Sequence, residues 1–305
     1  MKNKMKNLTN NFLNQFNNYF EKIKNNTFYK ISSKYIPYIL IPLFILYIIF
    51  SIGQSEINIF NYKTLKSISI YLIIAFFISP IFILLTSIRF HFLKLILGSK
   101  TTIYKSINSV LLASSLDAFT PAKINDFARL RNEPNKKKSL YAIFLERFLD
   151  IFVLTFFIFF LTNQIYLFIF FLFLLIIVFL IYIKKDFIRS LYYAKLVIGS
   201  MLITLTHWFL AFRLFKNSFE VVFRSLDLNY ELSNIDLVTI NKFSTVTLLS
   251  VIPLSFGGVG IREASAITIF KNIDSSVVFG STLAYGLGVS GSITLLGIIY
   301  VIMKK

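Results

Sequence analysis

Apolar residues in this chain are gathered into runs rather than spread thinly over every element. Runs at about 35–52, 67–88, 139–162, 165–183, 196–215 and 276–302 each approach the roughly 20 residues that a helix needs to cross a bilayer. Two further stretches differ. Residues 106–130 begin apolar, "SINSVLLASSLDAF", and pass into "TPAKINDFARLRN". Residues 238–270 begin apolar and pass into "IPLSFGGVGIREAS". Each reads as a short apolar leg, a proline and a second leg with charges. Residues 1–34 are polar, with Leu8, Phe12, Phe16, Phe20 and Ile23 at near-helical spacing. Two readings of them stay open: a basic amphipathic helix on the cytoplasmic membrane surface, or a disordered basic tail. A cleavable signal is not expected, because the apolar region starts late and no small-residue cleavage site follows it.

The polar loops orient the spans. Lys and Arg favour the cytoplasmic side, so the loop at 87–105, with Arg89, Lys94, Lys100 and Lys105, is placed inside. So is "RNEPNKKKS", with Arg131, Lys136, Lys137 and Lys138. Residues 106–130 then enter and leave on the same side, as a re-entrant hairpin. The loop at 216–236 is acidic on balance and is placed outside, whereas Lys304 and Lys305 end inside. That requires 238–270 to be a second hairpin, entering from the other side. About 24 of the 32 Lys and Arg residues then lie in the cytoplasm, as do both termini. The alternative makes each stretch a full crossing and puts the 131–138 lysine run outside.

The expected fold is all-α and polytopic, with about six transmembrane helices plus two re-entrant helical hairpins in an inverted 3+3 repeat. The half-repeats are 35–162 and 165–302, inside a domain covering 35–305. The hairpins correspond in sequence: Pro121, Asn125-Asp126 and Arg129 against Pro253, Gly257-Gly258 and Arg262-Glu263. Proline stops the first leg. Gly, and less readily Asn, permits the turn, with Gly260 adding freedom before the second leg. The second leg starts with free N–H groups at the positive end of its dipole, which favours an anion. Arg129 and Arg262 add guanidinium forks for phosphate, while Asp126 and Glu263 hold those arginines or receive a cationic group. Arg262 and Glu263 can also be read as a structural ion pair.

The run "PLSFGGVGIRE" resembles the signature of the lysylphosphatidylglycerol synthase transmembrane-region family, a flippase-like domain. Two weaker elements follow that family's order, "PAKINDFAR" at 121–129 and "LERFLD" at 145–150. The similar region covers roughly 35–302. In the first hairpin Asn125-Asp126 stands where the family has Gly-Glu. The resemblance implies translocation or handling of a phospholipid or lipid-linked anionic headgroup between leaflets of the cell (inner) membrane. It does not imply synthesis, since nothing like the family's soluble aminoacyl-transfer domain is present. A second reading stays open: a non-transporting scaffold that presents lipid to an envelope glycosyltransferase or lipid-modifying enzyme. Homo-oligomerisation is also open.

Composition agrees with the membrane reading. The chain is 56% hydrophobic and only 15% charged, where a soluble domain has about a quarter charged residues. Its net charge of +18 lies between apolar runs and suits anionic lipid, so nucleic acid is not expected as a partner. With no cysteine, thiolate metal sites and cysteine nucleophiles are excluded. The two histidines are far apart and lack the His-Glu-x-x-His spacing of a zinc hydrolase. No enzyme, metal or cofactor is expected. Glu146, Arg147 and Asp150 open the span at 139–162; they read either as interface residues or as partners of the first hairpin lining a headgroup path. His207, inside the span at 196–215, reads as an interhelical hydrogen-bonding residue.

Overall fold

The computed structural model describes residues 62–116, 124–160, 187–226, 238–250 and 260–304. The expected spans at 35–52 and 165–183, the segment 1–34, and the turn residues Pro121, Pro253, Gly257 and Gly258 lie outside the described residues. The described elements are α1 (Tyr62–Ile96), α2 (Ile103–Ser114), a 3-10 helix (Ile124–Asn132), α3 (Lys136–Phe160) and α4 (Phe187–Ser225). They continue with α5 (Ile240–Ser250), α6 (Ile261–Ile269), α7 (Ser275–Gly286), a π-helical turn (Leu287–Gly291) and α8 (Ser292–Met303). No strand occurs among the described residues.

Three stretches, Lys63–Ile96, Tyr193–Ser225 and Ser275–Met303, are long and apolar enough to cross a membrane. The chain is therefore a helical membrane protein. At 25 residues α3 also has spanning length, but Glu146, Arg147 and Asp150 interrupt its apolar run. Two predicted boundaries change. Helix α1 continues to Ile96, past the expected loop start at 87, because Arg89 and Lys94 are buried and paired rather than solvated. Helix α4 likewise runs on to Ser225, into the expected loop at 216–236.

Helices α1 and α4 pack antiparallel at the centre. The Ser225 hydroxyl donates to Thr64 Oγ1 at one end (3.1 Å), the Tyr71 hydroxyl donates to the Leu214 carbonyl (3.0 Å), and Gly199 lies against Phe92 at the other end. Pro80 removes one amide from the α1 ladder, and the Ser79 hydroxyl donates to the orphaned Phe76 carbonyl at 2.7 Å. Beside this pair, Phe215 stacks within 5.1 Å of Phe243 and 5.3 Å of Tyr285, joining α4, α5 and α7 through rings.

Neither doubled stretch is one continuous helix. After α2 the chain turns back, so that Asn125 Nδ2 donates to the Ala113 carbonyl (3.4 Å) and Ser109 Oγ donates to Glu133 (2.8 Å). The two pairs set the 3-10 helix antiparallel to α2. In the second stretch α5 packs against α6. As described, α2, α5 and α6 are 9 to 12 residues long, about 14–18 Å each. The packing is reciprocal. First legs reach across: α2 packs on α8 and α5 on α3. Second legs stay local: the 3-10 helix packs on α3 and α6 on α7.

Candidate functional site

Helix α1, the 3-10 helix and α3 bring six charged side chains into one closed ring. Arg89 Nη2 bonds Glu146 Oε1 at 2.7 Å, and Glu146 Oε2 accepts from Arg129 Nη1 at 2.7 Å. Arg129 Nη2 meets Asp126 Oδ1 at 2.7 Å, and Asp126 Oδ2 accepts from Arg147 Nε at 2.8 Å. Arg147 Nη1 bonds Asp150 Oδ2 at 2.9 Å, and Asp150 Oδ1 returns to Arg89 Nη1 at 2.6 Å. Cations and anions alternate around the ring, and its charges sum to zero. Such pairing is what keeps buried ions tolerable, since one unpaired charge in apolar surroundings is costly.

Local geometry explains the placement. Glu146 and Asp150 are four residues apart and share a face of α3, both turned inward to Arg89. Asp126 and Arg129 are three apart, the eclipsing interval of a 3-10 helix, so both face α3. Nine residues is long for that helix type, and the ion pairs to α3 hold it in place. Five ring members are 5% exposed or less as side chains; Arg147 is 27% exposed and is the member at the ring's open side. Trp208 Nε1 of α4 donates to Asp150 Oδ1 at 2.9 Å, and Arg89 Nη1 lies 3.3 Å from Thr204 Oγ1.

The ring lines a cavity of about 170 Å³ whose remaining walls include Phe82, Leu154, His207, Trp208 and Tyr285. Three buried nitrogens on lining residues, Arg89 Nε, Arg129 Nε and His207 Nδ1, find no hydrogen-bond partner among the described residues. The carboxylates, by contrast, are each shared between arginines. What the ring itself has to spare is therefore two N–H donors, Arg89 Nε and Arg129 Nε, which match an oxyanion such as phosphate.

Of the residues named from sequence, Asp126, Arg129, Glu146, Arg147 and Asp150 are brought together here. Arg89 completes the ring and was missed, because its place after an apolar run marked it as a loop charge. Asn125 lies in the 3-10 helix and bonds back to α2. Arg262 and Glu263 do not join the ring. Glu263 Oε1 accepts from Arg262 Nε (3.0 Å) and Nη2 (2.8 Å), and Oε2 accepts from the Gly260 amide at 2.6 Å. Glu263 thus caps α6, so this helix start already holds a carboxylate. Gly260 adopts φ +90°, which favours glycine. The Arg262 guanidinium lies 5.8 Å from the Tyr285 ring and fits against Gly286, where an added Cβ would sit 1.8 Å from Nη2. Tyr285 also lines the cavity, so it touches on both charge groups.

A second buried pair was also missed. Glu133 Oε1 accepts from Lys94 Nζ (2.7 Å) and Ser109 Oγ (2.8 Å), and Oε2 accepts from Ser139 Oγ (3.3 Å). It ties α1, α2 and α3 together where the doubled segment meets α3. Among the described residues no group of three or more His, Cys, Asp or Glu is placed to hold a metal ion. No family model, curated protein or solved structure matches the chain.

Proposed function

We propose that this protein binds the phosphate of a phospholipid or lipid-linked headgroup in the ring-lined cavity and passes it between membrane leaflets. The observation that carries this reading is the closed Arg–carboxylate ring among membrane-spanning helices, with buried N–H donors left over. Charges inside a membrane protein are rare and mark substrate or ion pathways by default. A phosphate entering at Arg147 replaces Asp126 as its partner and takes the spare donors of Arg129 and Arg89. Asp126 then loses its tie to Arg147, and the 3-10 helix is held to α3 through Arg129 and Glu146 alone. A small ligand contact thereby loosens the doubled segment and favours its movement.

The reciprocal packing of α2 on α8 and α5 on α3 supports reading the two stretches as re-entrant hairpins in an inverted repeat, a layout suited to alternating access. The resemblance of the 253–263 run to a flippase-like family points the same way, and the cell membrane with cytoplasmic termini is the matching location. Transfer of a fluorescent anionic phospholipid in vesicles, read by chemical quenching of the outer leaflet, tests the reading. The intact chain transfers the probe, and Arg129→Gln, which removes a ring charge, abolishes transfer. Equal transfer by both would sink the assignment. A scaffold that only presents lipid is the second reading, favoured by the ring's charge balance; it predicts lipid binding with no transfer.

A further inference from the structure

A cavity of about 170 Å³ accommodates a headgroup phosphate but not the chains attached to it. A second hollow, about 600 Å³, lies on the other side of α2 and α8 and is bounded by α1. Ile83 contributes to both walls. Between them α2 and α8 meet backbone to side: a Cβ on Gly297 would sit 2.4 Å from the Ser115 amide nitrogen and 2.8 Å from the Leu111 carbonyl. The seam is closed, so the outer hollow is a trough and not a branch of the cavity.

Its chemistry is graded. Pro80, Ile83, Leu84, Leu111 and Leu296 make the deep part entirely apolar. On α8 the lining residues Leu296, Ile299, Tyr300 and Met303 fall on one helical stripe that covers roughly 10 Å along the axis. Polar groups occur only at the far end: Tyr104, Tyr300 and Lys304, with Lys304 Nζ donating to Tyr300 Oη at 3.0 Å. The Lys304 side chain is exposed. An amine bonded to one phenol, with a second phenol on the same lining, complements a phosphate followed by an acyl chain.

We propose that this trough is a binding site for an anionic phospholipid, with one acyl chain along α8 and the phosphate at Lys304 and Tyr104. It rests on the proposed function and extends it with a second lipid site, set apart from the ring-lined cavity by the closed α2–α8 seam. The test uses the full chain in phosphatidylcholine vesicles containing a trace of phosphatidylglycerol with a photoreactive diazirine in its chain. Adducts are mapped by mass spectrometry. Labelling is expected at 296–303 and 104–111 in clear excess over Ile73 and Phe77 on the exposed face of α1. Unlabelled phosphatidylglycerol should compete better than phosphatidylcholine. Lys304→Gln should lower labelling about fivefold, the effect of one basic residue at an anionic surface, and Leu296→Trp should fill the trough and remove it. Equal labelling of Phe77 and the trough would mean ordinary surrounding lipid and overturn the proposal. So would efficient disulfide cross-linking between two copies of Leu296→Cys, which would mean a second chain sits there. Selective labelling without leaflet transfer would leave the trough standing and reject transport; transfer without selective labelling would do the reverse.

Discussion

Arg89 and Asp150 are 61 residues apart in the chain, yet Nη1 and Oδ1 lie 2.6 Å apart in the structure. The bond joins α1 to α3, and the neighbouring bond to Glu146 makes Arg89 a two-pronged clamp on one face of α3. Everything else in the ring hangs from that face. Loss of this arginine leaves two buried carboxylates with reduced compensation.

Arg89→Leu should therefore destabilise the protein by about 3–5 kcal/mol, the range for breaking one side of a buried pair. Combining it with Glu146→Leu removes equal and opposite charge. The double variant should be more stable than the sum of its parts by at least about 1 kcal/mol. Thermal unfolding in detergent of the single and double variants measures both, and strict additivity would show that the two side chains do not share one ring.

Arg147 separates function from stability. Its side chain is 27% exposed, so its removal opens its partners Asp126 and Asp150 to solvent that can stand in for it. Arg147→Gln is expected to lose most lipid transfer while its melting temperature falls less than that of Arg89→Leu. A variant that melts early but still transfers lipid would make Arg147 a structural residue only.

Gly286 is required by Arg262. In Gly286→Ala the new methyl would collide with the guanidinium, and overpacking of this kind costs about 1–3 kcal/mol. Truncating the arginine makes room, so Arg262→Ala should relieve part of the Gly286→Ala penalty, seen as a smaller drop in melting temperature in the double variant than in Gly286→Ala with Arg262 intact. Because Glu263 and Arg262 serve the start of α6, Arg262→Ala alone should impair stability together with transfer. Loss of transfer at full stability would instead restore Arg262 to the substrate path.

Gly297 in α8 and Gly291, the last residue of the π-helical turn before it, give a contrasting pair. A Cβ at Gly297 would strike the α2 backbone, which cannot rotate away, whereas a Cβ at Gly291 meets nothing within 4 Å. Gly297→Ala should destabilise by about 1–3 kcal/mol, and Gly291→Ala should stay within about 0.5 kcal/mol of the parent. Similar melting temperatures for the two would mean that the α2–α8 seam is looser than the structure has it.

Much of the site was legible because lipid leaves few options. Asp126, Arg129, Glu146, Arg147 and Asp150 stood out as charges beside a chain break or within an apolar run, where an unexplained ion is expensive. Arg89 gave no such signal. It follows directly on an apolar stretch, and the same pattern describes a span ending in a cytoplasmic loop. Lys94 and Glu133 were hidden for the same reason: 39 residues apart, each looks solvated until its partner is known. Arg262 and Glu263 were visible as charges, but their attachment to Gly260 and Gly286 depends on how α6 meets α7.

The amino-acid sequence by itself determined that the chain is helical, that three long apolar helices overlap 67–88, 196–215 and 276–302, and that 106–130 and 238–270 are not single unbroken helices. Those features follow from a local rule: backbone groups must be satisfied within a segment in oil. Only the tertiary structure decided that three arginines and three carboxylates close into a neutral ring, and that Arg262 and Glu263 pair with each other outside it. Ion pairing at 2.6–2.9 Å is set by the rotation and depth of packed helices, quantities that no residue carries alone.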